Sequence, residues 1–258
     1  MKHYCLDDSP RFHLVELAET VSTNSFLAGY QPPRPVEMTV VTAEFQTSGR
    51  GQAGNHWESA ARQNLLFSIK IHPTALPPTN IFTLSEAIAL AVRDAVDTAL
   101  KESGAANHAV TVKWPNDIYV DDSKIAGILI ENELQGRTIS RAIIGIGLNV
   151  NQQEFLSDAP NPVSLLQLTG KEHERQFILA HIISIFTSLY AEIQSHNYTS
   201  IHETYLQHLY RRSGIHGFRD AQGSFQASIS DVESDGHICL SDTDGRIRRY
   251  AFKEVEHI

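Results

Sequence analysis

Sulfur is scarce in this sequence: its 258 residues include two cysteines, Cys5 and Cys239, and two methionines. One cysteine near each end, in no metal-type spacing, gives a disulfide framework no support and suits a reducing compartment. No stretch approaches the roughly 18 apolar residues of a membrane span. The opening Met1-Lys2-His3-Tyr4-Cys5-Leu6-Asp7-Asp8 is acidic and has no apolar signal core, so neither a secretory nor a mitochondrial leader is read there. These absences predict a cytoplasmic location and no membrane partner. Positive charge is also in deficit: 21 Lys and Arg stand against 30 Asp and Glu, a net charge of -9, whereas nucleic-acid binding needs a basic face. No nucleic-acid partner is expected, and an anionic ligand must be met by a local basic cluster. Thirteen histidines are present, yet without a His-Glu-x-x-His or a Cys/His cluster they predict no dedicated protein-held metal site.

What is present reads as α+β. The length allows one substantial core plus a small accessory domain. Alternating apolar residues predict strands over 12–18, 38–45 and 64–71, and Glu19-Thr20-Val21-Ser22-Thr23-Asn24 supplies caps for a short helix from Ser25. Ile81, Leu84, Ile88, Val92, Ala95 and Ala99 recur at helical spacing. Strands over 110–120, 125–133 and 139–150 form an antiparallel meander, then helices carry Ile178 to Ile193 and span 198–210. From about Ser213 short strands and Gly-containing turns predict a small β-barrel. The expected division is 1–212 and 213–258, and strands and helices in runs, without βαβ alternation, argue against a doubly wound sheet.

Two stretches carry chemistry. Thr111-Val112-Lys113-Trp114-Pro115-Asn116-Asp117, followed by Lys124-Ile125-Ala126-Gly127-Ile128-Leu129, puts two lysines, a carboxylate and an amide on neighbouring strands. That set suits a nucleotide phosphate beside an acyl group. Pro115 has no N-H for a sheet ladder, so the chain bends there. Gly49-Arg50-Gly51-Gln52-Ala53-Gly54 matches G-x-G-x-x-G, but no apolar helix follows as a dinucleotide fold requires. Lys70 on the next strand suggests a kinase, yet no His-Arg-Asp loop or Asp-Phe-Gly occurs downstream. A glycine-flanked arginine in a loop able to wrap a ligand remains, with Trp57 as an aromatic cover.

Glu19 to Asn24, Gln46-Thr47-Ser48-Gly49-Arg50-Gly51, Lys113 to Asp117, Lys124 to Leu129 and Gly145-Ile146-Gly147-Leu148-Asn149-Val150, in that order and spacing, resemble the biotin protein ligases. The resemblance is strong over 12–155 and extends to the tail through Phe252-Lys253-Glu254-Val255. It implies a class II synthetase-like catalytic domain of mixed or antiparallel sheet with helices, followed by an SH3-like barrel. It also implies a two-step reaction. Biotin and ATP give biotinyl-AMP and pyrophosphate, with magnesium arriving on ATP, and a lysine of a biotin carboxyl carrier protein, as in acetyl-CoA carboxylase, then takes the biotinyl group.

By the same resemblance, Ser22, Thr23, Asn24 and Gln46 line the biotin pocket, with Gly51, Gln52 and Gly127 beside it. Arg50 and the Gly51 backbone close over carboxylate and phosphate, Lys124 contacts the biotinyl carbonyl and phosphate, and Lys113 stabilises charge developing at the α-phosphate. Asn149 meets the adenine and Trp57 packs on it. Gly145 and Gly147 leave room for ligand, Asn116 adds to the nucleotide site, and Asp117 either binds magnesium or helps deprotonate the incoming lysine. Two departures stand out. Gln52 replaces the second arginine that several relatives carry, and the catalytic strand begins near Phe12, which predicts a ligase without the N-terminal DNA-binding domain of bifunctional members. An exposed strand edge leaves room for a homodimer. The rivals are a lipoate or octanoate transferase and a non-catalytic sensor.

Overall fold

A computed structural model describes residues 11–156 and 160–258; Cys5 and the acidic opening lie outside them. The first half runs β1 (Phe12–Leu17), α1 (Thr23–Gly29), β2 (Met38–Ala43), β3 (Leu65–Ile71), α2 (Phe82–Glu102), β4 (Val110–Lys113), β5 (Asp117–Val120), β6 (Ser123–Gln135) and β7 (Thr138–Leu148). These strands make one seven-stranded sheet in the order β1-β2-β3-β7-β6-β5-β4. All pairings are antiparallel except β1 with β2. The α+β expectation holds, and the sheet is mixed because α1 carries the chain back to start β2 in the direction of β1.

Both faces of the sheet centre are covered, and β3 is buried at every position. One face presents Phe67, Ile69, Ile71, Ile144 and Ile146 to α2, whose Ala87, Ala91 and Ala95 are buried in the same core. The opposite face seats α1 through a second cluster of Leu27, Val41 and Ile143. Three further helices follow, α3 (Leu165–Thr169), α4 (Arg175–Gln194) and α5 (Tyr198–Gln207). α3 is absent from the sequence reading: at five residues it shows no periodicity, and its mark is the capping box between Ser164 and Gln167. α4 corrects another expectation, being long and apolar enough to cross a membrane by length and composition. It buries Ile178, Leu179, Ile182, Ile183, Phe186 and Ile193 in the core with α2.

Residues 110–120 are two strands rather than one. The chain turns back through Trp114, Pro115 and Asn116, with a cis Trp114-Pro115 bond, so that Lys113 pairs with Asp117. The tail comprises β8 (His216–Asp220), β9 (Gly223–Val232), β10 (Ile238–Asp242), β11 (Ile247–Tyr250) and β12 (Val255–His257), in the order β11-β10-β9-β8-β12. This corrects the expected barrel: among the described residues β11 and β12 are the unjoined edges of an open sheet.

The tail docks on the larger sheet through the turn between β9 and β10. Trp114 Nε1 donates to the Gly236 carbonyl at 2.9 Å, and the Phe82 N-H to that of Ser234 at 3.2 Å. Gly236 sits at φ +95°, and a Cβ there would lie 2.7 Å from the Phe82 ring, so glycine is required on both counts. His202 on α5 completes the joint, its Nδ1 2.7 Å from buried Glu86 and its Nε2 3.2 Å from Asp231 on β9. The hydrogen bond to Glu86 raises the His202 pKa above its ordinary value, and burial raises that of Glu86. Both shifts mean that the folded protein holds protons more tightly than the unfolded chain, so stability falls as pH rises. The His202 contribution is complete below about 6.5, its unfolded value, and is lost as pH climbs through the raised folded value. Urea unfolding at pH 6 and pH 9 should show a smaller stability loss in His202→Gln than in the native sequence; equal losses would contradict the ion-pair assignment.

Candidate functional site

The cleft lies on the α1 side of the sheet, and strand alternation decides what reaches it. Ser68 and Lys70 on β3, Gly145 and Gly147 on β7, Gly127, Leu129 and Glu131 on β6, and Asp117 and Tyr119 on β5 project from this face. Helix α1 is held at both ends by one strand. At its start, Ser68 Oγ lies 2.6 Å from Asn24 Oδ1 and 2.7 Å from Thr23 Oγ1. Beyond its end, Lys70 Nζ donates to the Tyr30 carbonyl and Arg141 to that of Ala28 at 2.9 Å. Burial, and then Arg141, push the Lys70 pKa down.

A proton count fixes how Asn24 sits in the network around Ser68. Asn24 Nδ2 donates to Leu129 O at 3.3 Å and to Glu131 Oε2 at 2.7 Å; neither oxygen can donate, so the amide has one possible orientation. Asn24 Oδ1 therefore takes the single Ser68 proton, and the one Thr23 hydroxyl proton faces two oxygens, Ser68 Oγ at 2.7 Å and Gln46 Oε1 at 3.1 Å. The Thr23 N-H already holds Gln46 Oε1 at 2.7 Å. Thr23 thus keeps an acceptor lone pair for an incoming N-H group, while Asn24 is committed to protein partners. Ser22, Thr23 and Asn24 are all buried, as is Ser68.

The loop of residues 47–57 folds over this face. The Gly51 N-H donates to Asn55 O at 2.7 Å and the Trp57 N-H to Gly49 O at 3.0 Å, and Gln52 opens a single 3-10 turn. The Trp57 indole lies flat on β7: a Cβ on Gly147 would come 2.3 Å from it, and one on Gly127 3.0 Å. At Gly145 the same atom would meet Asn24 Oδ1 at 2.3 Å. The space over these glycines is thus filled by Trp57 and Asn24 themselves. Arg50 Nη2 reaches Glu131 Oε2 at 2.7 Å.

The two lysines are held differently. Lys124 Nζ pairs with Asp117 Oδ1 at 2.7 Å and lies 5.7 Å from the Trp57 ring centre. A bulge between Ile118 and Tyr119 shifts the β5–β6 register there. Lys113 Nζ is held by neutral groups, 3.1 Å from the Tyr119 hydroxyl and over the rings of Tyr119 and Tyr210. Burial lowers its pKa, opposed by the charge of Asp117. His257 from β12 faces the same region; burial and then Lys113 push its pKa down to about 4, so it is neutral at physiological pH. Asn116 Nδ2 donates to Ile128 O at 2.6 Å and supports the strand edge. Asn149 Nδ2 donates to Val163 O at 3.1 Å. Four buried polar atoms of the cleft have no partner among the described residues, Gln52 Oε1, Asn149 Oδ1, Trp57 Nε1 and His257 Nδ1, and such atoms call for a ligand or water.

The cleft gathers every residue singled out from the sequence, Ser22, Thr23, Asn24, Gln46, Arg50, Gly51, Gln52, Trp57, Lys113, Asn116, Asp117, Lys124, Gly127, Gly145, Gly147 and Asn149, within a cavity of about 1940 Å³. That exceeds the span of roughly 300 to 1000 Å³ usual for one small ligand. Sequence reasoning missed Ser68, Glu131, Tyr119, Tyr210, Arg211 and His257. Ser68 alone carries a local signal, a hydroxyl interrupting an apolar strand.

Such a fold and cleft define an α+β protein with three cations, Arg50, Lys113 and Lys124, gathered over a buried polar pocket. The sequence model of the Biotin/lipoate A/B protein ligase family matches residues 19–149, and the chain belongs to that family. It is 30% identical over 241 residues to the bifunctional ligase/repressor BirA of Bacillus subtilis, covering 91% of this chain and 70% of that protein. It is 33% identical over 168 residues to the biotin--[acetyl-CoA-carboxylase] ligase of Mycobacterium tuberculosis, covering 65% and 60%. The biotin protein ligase of Aquifex aeolicus, solved in complex with biotin and ATP, superposes with a TM-score of 0.77 at 23% identity, covering 95% of this chain and 98% of that one. At that identity the likeness is one of fold.

Gly147→Ala should drive Trp57 off its seat, seen as a red-shifted tryptophan emission in a Trp114→Phe background with the far-ultraviolet spectrum kept. An unshifted emission would contradict the packing of the indole on β7.

Proposed function

We propose that this chain is a biotin protein ligase that activates biotin with ATP and transfers the biotinyl group to a lysine of a biotin carboxyl carrier protein. The observation that carries the reading is the convergence of Arg50, Lys113 and Lys124 on one cleft whose other end is a buried hydroxyl and amide pocket. The first step brings a carboxylate onto the α-phosphate. Two unit charges 4 Å apart repel by about 4 kcal/mol at an effective dielectric near 20. Cations fixed in advance offset that without reorganising during the reaction. The carboxylate oxygen forms the new bond to the α-phosphorus, and the bond to pyrophosphate breaks. Lys113, which among the described residues has no carboxylate at bonding distance, is free to take the charge that develops there.

In the second step the uncharged amine of the carrier lysine attacks the biotinyl carbonyl, an amide forms, AMP leaves with the bonding pair, and the proton the nitrogen sheds passes to the departing phosphate or to water. Lys124, held in place by Asp117, faces that carbonyl. The pocket supports a ureido acid over a plain aliphatic one, because the Thr23 oxygen and Gln46 amide would lose partners if the ring were absent. Asn149 Oδ1 suits the amino group of adenine. Magnesium comes on the nucleotide, and Asp117 is a carboxylate that could share it, one or two carboxylates plus phosphates being its usual set. Residues 1–212 form the catalytic unit and 213–258 the appended sheet, and the reducing cytoplasm is the expected setting.

Pyrophosphate release from ATP and magnesium should depend on biotin and fall by about 100-fold or more in Lys113→Ala. Release with lipoate or octanoate in place of biotin would overturn the substrate assignment. Gln52→Arg adds a fixed positive charge to the loop and should slow release of the adenylate in stopped-flow; an unchanged rate would remove Gln52 from the account.

A further inference from the structure

Glu131 lies just beyond the motifs that mark the site, yet it occupies the cleft face of β6. In the continuous register with β7, Gly127 pairs with Gly147, Leu129 with Gly145 and Glu131 with Ile143, and residues two apart share a face. A single oxygen, Oε2, accepts from two donors on different elements. One is Asn24 Nδ2 on α1, the other Arg50 Nη2 on the glycine-flanked loop, each at 2.7 Å. A carboxylate makes both bonds charge-assisted, about twice as strong as neutral ones. Sharing one atom links the two donors: displacing either shifts the oxygen that holds the other.

The Arg50–Glu131 pair is about two-fifths exposed on each side, and an exposed pair contributes little to global stability. Its value is therefore local. Asn24 retains Ser68 and Leu129 as partners without Glu131, so the polar pocket survives the loss of that carboxylate. Arg50 keeps no comparable tie, since among the described residues its guanidinium is joined to the sheet through Glu131.

We infer that Glu131 is a positioning residue that couples the acyl pocket beneath α1 to the Arg50 loop. An acid bonded to the Thr23 oxygen acts through Ser68 on Asn24, Asn24 holds Glu131 Oε2, and Glu131 turns the Arg50 fork toward the nucleotide phosphate. The identities of the two ligands rest on the biotin ligase reading; the coupling is a property of this chain of side chains.

The test measures affinity for α,β-methylene-ATP with and without saturating biotin in the native sequence, Glu131→Ala and Glu131→Gln. Trypsin cleavage after Arg50 is followed in parallel. In the native protein biotin should tighten nucleotide binding and slow cleavage by about tenfold, a typical coupling between sites. Glu131→Ala should bring both ratios close to one while still binding biotin and melting at nearly the native temperature. Glu131→Gln, which keeps an acceptor oxygen but not the charge, should restore part of the coupling. Native-like ratios in Glu131→Ala would overturn the inference, as would tighter nucleotide binding without biotin, which would make Glu131 a mere neutraliser of Arg50. A native protein that binds no biotin would instead overturn the functional reading.

Discussion

The site depends on how one short helix is seated. With seven residues α1 is too short to persist alone, and its place is set by alternate side chains of a fully buried strand, Ser68 at the start and Lys70 past the end. Removing the Ser68 hydroxyl would leave Asn24 Oδ1 buried without a donor, a cost of about 1 to 3 kcal/mol. Gly145 completes the seat, since any side chain there would collide with the Asn24 amide. Pocket and sheet are thus one construction. The same face of the same strands that buries α1 also carries the carboxylates and the glycines on which the loop lies.

Charge is distributed to match. The chain is acidic overall, and its cations in the cleft are arranged in two ways. Lys124 and Arg50 are each neutralised by a carboxylate, Asp117 and Glu131, which fixes their geometry and moderates their field. Lys113 is held by a phenol and two aromatic rings, which fix it without cancelling it. A paired cation orients a ligand; an unpaired one answers charge that appears during reaction. The open tail sheet contributes to this corner mechanically, gripping Trp114 through Gly236 and bringing Phe252 to 6.4 Å from its ring.

Much of this was legible in the sequence because the motifs fall on consecutive residues of single elements. Periodicity found α2, α4 and most strands of the large sheet, and Pro115 marked the bend. The doubling back of residues 110–120 was not legible, since a proline announces an interruption without its direction. The open tail sheet was misread as a barrel because short strands and glycine turns are common to both and closure is a property of edges. Ser68 and Glu131 escaped for a different reason: their roles come from pairing across the sheet, with partners 44 and 107 residues away, and no local pattern records such contacts.

The central claim is that this cleft joins an acid to a phosphate and then passes the acyl group to a lysine. The most direct test is intact-mass spectrometry of an apo biotin carboxyl carrier domain incubated with this protein, biotin, ATP and magnesium. The account predicts a gain of one biotinyl group on a single lysine, dependent on ATP. No gain, or transfer of lipoate in preference to biotin, would contradict it.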